Sequence, residues 1–335
     1  MDAAAWVVGV GSFLLGALWC AGSTVVDWTA WFLVLPGRKP GALAEAIAFR
    51  LDPVAPERRL GEPIQAVAAD GVALAGLWHP ADAFPGEGEY AAAESHAPRG
   101  TVLVLHGFAE DPSTLRVRLA ALTRHGWDAA ALDTRSYGRS GGGVGSFGTR
   151  EAADVRAWVD ALAASGKLGP GPLAFWGRSM GAGIALAAAA DDPRVKVLVL
   201  EAPYVDLAEA VAVVVRRRRV PFPKAVTRLV LNRAKRLAGA PLSRPRPIDV
   251  AARTTVAVLV VHGASDGLIP PAAVRRFAAA FPNPVRRIEV PGARHNDLVE
   301  LGGVGLLDEV ARFLDGAVPA VRAACRLTAG DSGRT

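Results

Sequence analysis

The sequence predicts an α/β fold, a mostly parallel central sheet with helices on both faces and one inserted segment. Three observations carry that prediction. Short apolar runs alternate with helix-period stretches through most of the chain. The runs are apolar throughout rather than at every second residue, as strands covered on both faces must be. The alternation is interrupted once, by a strongly basic segment between Tyr204 and Val250, and then resumes.

The elements follow in order. From Ala3 to Val26 the chain runs without a charge and stays apolar past Asp27 to about residue 36, long enough to span a bilayer, which needs about twenty residues. Trp6, Trp28 and Trp31 suit membrane interfaces, and Arg38 and Lys39 follow the run while only Asp2 precedes it. Residues 1–36 are therefore expected to be a single-pass membrane anchor with the bulk of the protein on the cytoplasmic side of the cell membrane. A cleaved secretory signal fits less well, because its n-region would want Lys or Arg and no A-x-A site closes a short apolar core, and a buried helix is the remaining alternative. After a linker, 37–62, "IQAVAAD" and "VALAGLWHP" flank Asp70-Gly71, which reads as a two-residue hairpin turn. An acidic, glycine-containing loop leads to "TVLVLHG", a helix over Ser113–His125, "DAAALD", a helix over Arg150–Ala164, "LAFWG", an Ala-rich helix after Ser179, and "VKVLVLEAP". Beyond the basic segment come "VAVLVVHG", a helix over Pro271–Phe281, "VRRIEV" and a last helix to about Leu314. The core thus divides into 63–203 and 251–315 around a basic segment at 204–250, and 316–335 form a small polar tail.

Composition narrows the function. With 335 residues, 51% of them hydrophobic, the chain buries a sizeable core and is not a disordered protein. Its two cysteines, Cys20 and Cys325, make neither a disulfide framework nor a metal-ligand spacing. The net charge of +6 is local, since residues 204–250 hold eleven Lys/Arg against Asp206, Glu209 and Asp249, eleven minus three or +8. No nucleic-acid motif or aromatic-interleaved basic patch accompanies it, so nucleic acid is not an expected partner. In this segment Val226, Leu229, Val230 and Leu237 share a helix face, with Lys224, Arg228, Arg233, Lys235 and Arg236 over the rest, which suits either a solvated helix or one whose basic face also rests on an anionic membrane leaflet.

G-x-S-x-G, a pattern that marks nucleophilic serines, occurs twice, around Ser140 and around Ser179. With 36 glycines the pattern alone decides nothing, but the context does. Ser179 joins a buried strand to a helix, a sharp turn that exposes its hydroxyl, whereas Ser140 has no strand leading in and no helix leading out. A serine nucleophile needs a base, an acid to orient it and donors for an oxyanion. His79, His96 and His125 precede Ser179 and read as surface or structural, while His106 and His262 follow strands as "HG" and suit bracing of strand-end turns. His295 lies in the loop after the last strand, at the carboxyl edge where open α/β sheets gather ligands, and is the expected base. For the acid Asp266 is preferred, in the order nucleophile, acid, histidine. Glu201 stands second, and Asp133 reads as a turn residue. The backbone N–H groups of Phe108 and Met180 are the expected oxyanion donors.

Together "VLVLHGFAED", "ALDTRSYGRSGG", "FWGRSMGAG", "LVVHGASDGLIP" and "PGARHNDL" resemble the α/β-hydrolase superfamily, and more narrowly the bacterial membrane-anchored hydrolases of the serine aminopeptidase and Bem46-like groups. The resemblance covers about Pro63 to Leu314. It implies that "DTRSYGRSGG" is the loop after the fourth strand and that 204–250 is an inserted helical cap over the active site. The expected activity is hydrolysis of carboxylic acyl esters through an acyl-enzyme, without cofactor or metal. Peptide or amide hydrolysis and a non-catalytic scaffold are the alternatives. Oligomeric state is not legible.

Overall fold

The computed structural model describes residues 26–27, 29–30, 32–34, 61–81, 98–110, 112–169 and 171–318. Eight strands form one sheet: β1 (Glu62–Val67), β2 (Ala73–His79), β3 (Thr101–Leu105), β4 (Asp128–Leu132), β5 (Leu173–Arg178), β6 (Val195–Glu201), β7 (Ala257–Gly263) and β8 (Arg286–Val290). Their spatial order is β1-β2-β4-β3-β5-β6-β7-β8. β2 runs antiparallel to both β1 and β4, and every other neighbouring pair is parallel.

The unbroken apolar runs have the predicted cause. Along β3, Leu103 and Leu105 enter one core cluster while Val102 and Val104 enter the other. Along β5, Phe175 faces the first and Ala174 and Trp176 the second. Successive side chains of a strand point to opposite faces, so a sheet covered on both sides needs apolar residues at every position. On one face pack α2 (Glu151–Ala164) and α3 (Met180–Ala189); on the other lie α1 (Arg116–Arg124) and α8 (Leu298–Asp315). α3 is buried along its whole length, which is why its sequence is Gly, Ala, Ile and Leu with no polar face.

Three local expectations change. The β1–β2 connection is not a two-residue turn: Gly71 N–H donates to Ala68 O, and Ala68 N–H donates to Val72 O. Ala68 to Gly71 make the turn, and Gly71, at φ +81°, supplies the left-handed residue of a three-residue loop with a bulge. The helix expected from Ser113 starts later, because Pro112–Leu115 wind as a 3-10 turn before α1. α8 contains a break at Gly303, whose φ of 57° and ψ of −157° no helix accommodates.

Between β6 and β7 lie α4 (Leu207–Arg217), α5 (Pro223–Ala238) and α6 (Pro247–Ala251), and α7 (Pro271–Ala278) follows β7. Asp206 caps α4 by accepting from the N–H groups of Ala208 (2.7 Å) and Glu209 (3.4 Å). α5 begins on Pro223 and stops at Gly239, whose φ is +60°. α6 packs on α3 and so belongs to the sheet's helical layer, which leaves α4 and α5 as the inserted pair. The buried stripe of α5 is Thr227, Val230, Ala234 and Ala238. Leu229, expected inside, is 54% exposed because it lies a third of a turn off that stripe.

The membrane anchor expected at 1–36 falls largely outside the described residues. Among those described, no helix is long and apolar enough to cross a membrane. The described helical residues at its end pack on the α/β core. Ala30 and Val34 are fully buried, Val34 O accepts from Gly145 N–H at 2.8 Å, and Asp27 pairs with Arg233 of α5 at 2.6 Å. At the other end, Val318 is buried against the cluster that holds α8.

Candidate active site

β5 ends at Arg178 and α3 begins at Met180, so Ser179 alone makes the turn between them, at φ 49° and ψ −109°. Such a backbone costs a non-glycine residue about 1–3 kcal/mol and persists only where surrounding structure enforces it. Here the enforcement is visible. Ser179 N–H donates to Glu201 O at 2.8 Å, tying the turn to β6. A Cβ on Gly177 would collide with the backbone of Gly181 and Ala182, and one on Gly181 with the carbonyls of Leu105 and His106. Strand, turn and helix can approach this closely only with glycine at both places. Met180 opens α3, so its N–H belongs to the first turn, where no intrahelical carbonyl is available.

His295 comes from the loop after β8, and its Nε2 lies 2.9 Å from Ser179 Oγ. Its Nδ1 lies 2.8 Å from Asp266 Oδ2, in the loop after β7. Asp266 is 2% exposed, and its other oxygen accepts the N–H groups of Leu268 (2.8 Å) and Ile269 (2.9 Å). Burial pushes the Asp266 pKa upward, but the hydrogen bond and charge of His295 and the Ile269 amide outweigh it, and the net shift is downward. An ionised carboxylate only accepts, so Nδ1 carries the proton and Nε2 is left to accept from the serine hydroxyl. His262 lies beside this pair, with Nε2 3.8 Å from Asp266 and 3.0 Å from Ile269 O, and burial lowers its pKa.

The structure separates these residues from the competing candidates. Ser140 Oγ donates to Asp133 O at 2.6 Å and accepts from Ala75 N–H at 2.8 Å, so it staples the loop after β4 to β2. His106 braces two strand ends, with Nδ1 2.8 Å from Gly107 O and Nε2 accepting from Thr134 N–H at 3.2 Å. His79 is fully buried at the end of β2, where burial drops its pKa to about 4, and His125 pairs with Asp308 at 3.0 Å. His96 lies outside the described residues. Asp133 accepts Arg139 N–H at 3.0 Å within its own loop.

Glu201 is committed elsewhere. It is 1% exposed and accepts from Arg118 through two nitrogens, Nε at 2.7 Å and Nη2, from Trp176 Nε1 at 3.1 Å, and lies 3.5 Å from Arg178 Nε. Burial pushes its pKa up, while the charges and hydrogen bonds of Arg118, then Arg178 and Trp176, pull it below the ordinary value. Arg178 carries the network outward to Glu110 and to Asn296 Oδ1 at 3.0 Å, and Glu110 in turn accepts Gly107 N–H at 2.8 Å. The residue before Ser179 therefore joins the loop holding Phe108 to the loop holding His295. Sequence reading missed Arg178, Glu110 and Arg118. The available signal was the charge of Arg178 inside G-x-S-x-G and of Glu110 three residues after "HG"; Arg118, in a helix, carries no such mark.

A row of aromatic contacts runs from Phe32 through Phe108 and Phe147 to Tyr204. Phe108 stacks on Phe147 with centroids 5.6 Å apart, meets Phe32 edge-on at 5.5 Å, and Phe147 meets Tyr204 edge-on at 6.5 Å. Tyr137, 4% exposed, lies against the His106 ring at 4.8 Å and donates its hydroxyl to Met180 Sδ at 3.3 Å. From the inserted helices, the Arg217 guanidinium lies against Gly267, next to Asp266. Among the described residues, no three His, Cys, Asp or Glu side chains gather to hold a metal ion.

An eight-stranded sheet of this order, with a serine at a strand-to-helix turn and a histidine and carboxylate on the loops after later strands, defines a hydrolase of the esterase and peptidase type. The comparisons agree with that class. The serine aminopeptidase hydrolase family model matches residues 96–248. An uncharacterized protein of Mycobacterium tuberculosis is 35% identical over 214 residues, 64% of this chain and 69% of that one. Among solved structures, the Pyrococcus furiosus esterase Pf2001 superposes with a TM-score of 0.61 at 20% identity, covering 77% of this chain and 91% of that chain. A Mycobacterium tuberculosis puromycin-hydrolyzing peptidase does so with a TM-score of 0.55 at 21% identity, covering 77% and 40%. The chain belongs to the α/β-hydrolase superfamily.

Proposed function

We propose that the protein is a membrane-anchored serine hydrolase that cleaves carboxylic acyl esters through Ser179, His295 and Asp266. The observation that carries this reading is the 2.9 Å contact between His295 Nε2 and the hydroxyl of a serine held at positive φ. His295 takes the Ser179 proton as Oγ attacks the substrate carbonyl, and Asp266 holds the imidazole tautomer and stabilises the imidazolium. The N–H groups of Met180 and Phe108 stabilise the oxyanion of the tetrahedral intermediate, with the dipole of α3 behind Met180. Collapse expels the alcohol, protonated by His295. Water activated by the same imidazole then releases the acid.

The aromatic row of Phe32, Phe108, Phe147 and Tyr204 favours an apolar acyl group, and the solved structures of similar fold include esterases. The charge-free run from Ala3 to Val26 supports anchoring in the cell membrane, with Arg38 and Lys39 favouring a cytoplasmic catalytic domain. The match to a serine aminopeptidase family model favours amide hydrolysis as a second reading. Purified protein is to be assayed on p-nitrophenyl esters of graded chain length beside aminoacyl p-nitroanilides, with fluorophosphonate labelling of wild type and Ser179→Ala. Ester turnover that vanishes with Ser179 supports the proposal. Faster anilide turnover replaces it with the peptidase reading, and wild type that neither reacts nor turns over refutes both.

A further inference from the structure

α4, α5 and the segment 241–246 enclose a cleft of about 480 Å3 that shares no residue with Ser179, His295 or Asp266. Lys224, Arg228 and Lys235 line it from α5, at spacings of four and seven residues that place them along one helix face. Arg244 and Arg246 line the opposite wall, so five cationic side chains face a common space whose only carboxylate is Asp206. That carboxylate is already committed to the N-terminus of α4 and to Arg246, 3.6 Å away. Other carboxylates nearby are also engaged: Asp249 with Arg246, Glu209 with Arg276 and Asp27 with Arg233. Lys224, Arg228 and Lys235 therefore have no carboxylate to neutralise them among the described residues.

The floor between the cations is apolar, formed by Leu207, Leu231 and Leu242, with the Asn232 amide as a neutral donor. Like charges gathered over an apolar floor repel one another more than they would in open water, and a multivalent anion relieves that repulsion. Guanidinium and ammonium groups converging from two walls match the tetrahedral display of phosphate oxygens. Asn232, Lys235 and Pro241 also line a second, shallower depression beside Arg236 and Gly239.

We propose that this cleft binds a phosphate-bearing anion, with the phosphate among Lys224, Arg228, Lys235 and Arg244 and its organic part on Leu207, Leu231 and Leu242. A phospholipid headgroup and a soluble phosphate share this chemistry, and two probes distinguish them. The full chain in neutral detergent is titrated by calorimetry with inorganic pyrophosphate, and separately with detergent micelles carrying phosphatidylglycerol or phosphatidylcholine. Saturable binding of pyrophosphate, or of phosphatidylglycerol over phosphatidylcholine, is expected to weaken with added salt. Replacing Lys224, Arg228 and Lys235 together by glutamine weakens it roughly a hundredfold. Replacing Arg216 and Arg219, exposed on the insertion but outside the cleft, leaves it unchanged. Unfolding midpoints establish that each variant is folded, and Arg244→Gln alone serves, with a roughly tenfold loss, if the triple variant is not. Saturation by pyrophosphate assigns a soluble anion and saturation by phosphatidylglycerol alone assigns a lipid headgroup. No saturable binding to either probe, or equal weakening by the Arg216 and Arg219 control, overturns the proposal.

Discussion

Replacing Glu201 with glutamine separates a structural carboxylate from a catalytic one. In the wild type this side chain, 1% exposed, balances Arg118 and Arg178, whose side chains are 8% and 7% exposed. Gln keeps the shape but removes the charge, leaving two guanidiniums buried, Arg178 offset by Glu110 at the edge of the network and Arg118 by the charge of Glu300. Breaking a buried pair by removing one partner typically costs about 3–5 kcal/mol. For a domain of this size that is a fall in Tm of roughly 10 °C, at 2–4 °C per kcal/mol. The pH dependence has a definite sign. The folded-state pKa of Glu201 lies below the ordinary glutamate value, so its contribution is fully present above that value and is lost as pH falls through and below it. The stability gap between wild type and Glu201→Gln is therefore widest near neutral pH and narrows in acid. Urea unfolding at several pH values measures the gap, and p-nitrophenyl ester turnover runs alongside. A variant within about 1 kcal/mol of wild type would refute the network argument. Lost turnover with stability intact would instead make Glu201 the acid that serves His295.

Three further outcomes are expected. Ser179→Ala abolishes fluorophosphonate labelling and turnover. Ser140→Ala retains most of both and loses about 1–2 kcal/mol from its hydrogen bonds to Asp133 O and Ala75 N–H, as urea midpoints show. Asp266→Asn lowers kcat by about 10⁴ with little change in KM, because asparagine no longer fixes the tautomer that leaves Nε2 free to accept; a drop under tenfold places the orienting acid elsewhere. Gly177→Ala drives a Cβ into the backbone of Gly181, so the variant loses probe labelling before it loses helical circular dichroism, whereas Gly166→Ala, with open space around the same atom but φ +69°, costs only about 1 kcal/mol of backbone strain.

Much of this was legible without coordinates because it rests on local periodicity. Strands β3 to β7 announce themselves as unbroken apolar runs, and Ser179 is distinguished from Ser140 by its neighbours along the chain alone. His295 and Asp266 could be placed at carboxyl ends of strands, and the order of the sheet then had to bring them together. Other features depend on which groups meet across the fold. Glu201 and Asp266 both follow buried strands, and only the packing shows that the first meets Arg118 and Arg178 while the second meets His295. The hairpin loop, the late start of α1 and the exposure of Leu229 turn on single φ angles or on a rotation of one third of a turn, finer than a periodic pattern resolves. The cationic cleft is a case of the same kind. Lys224, Arg228 and Lys235 can be read as one stripe of α5, but Arg244 and Arg246 face them only because 241–246 folds back across the helix. Sequence determines which faces are apolar and where the chain must turn, since those follow from the side chains of neighbours. Long-range electrostatic partnership is decided by tertiary packing, because a charge has no periodicity that points to its mate.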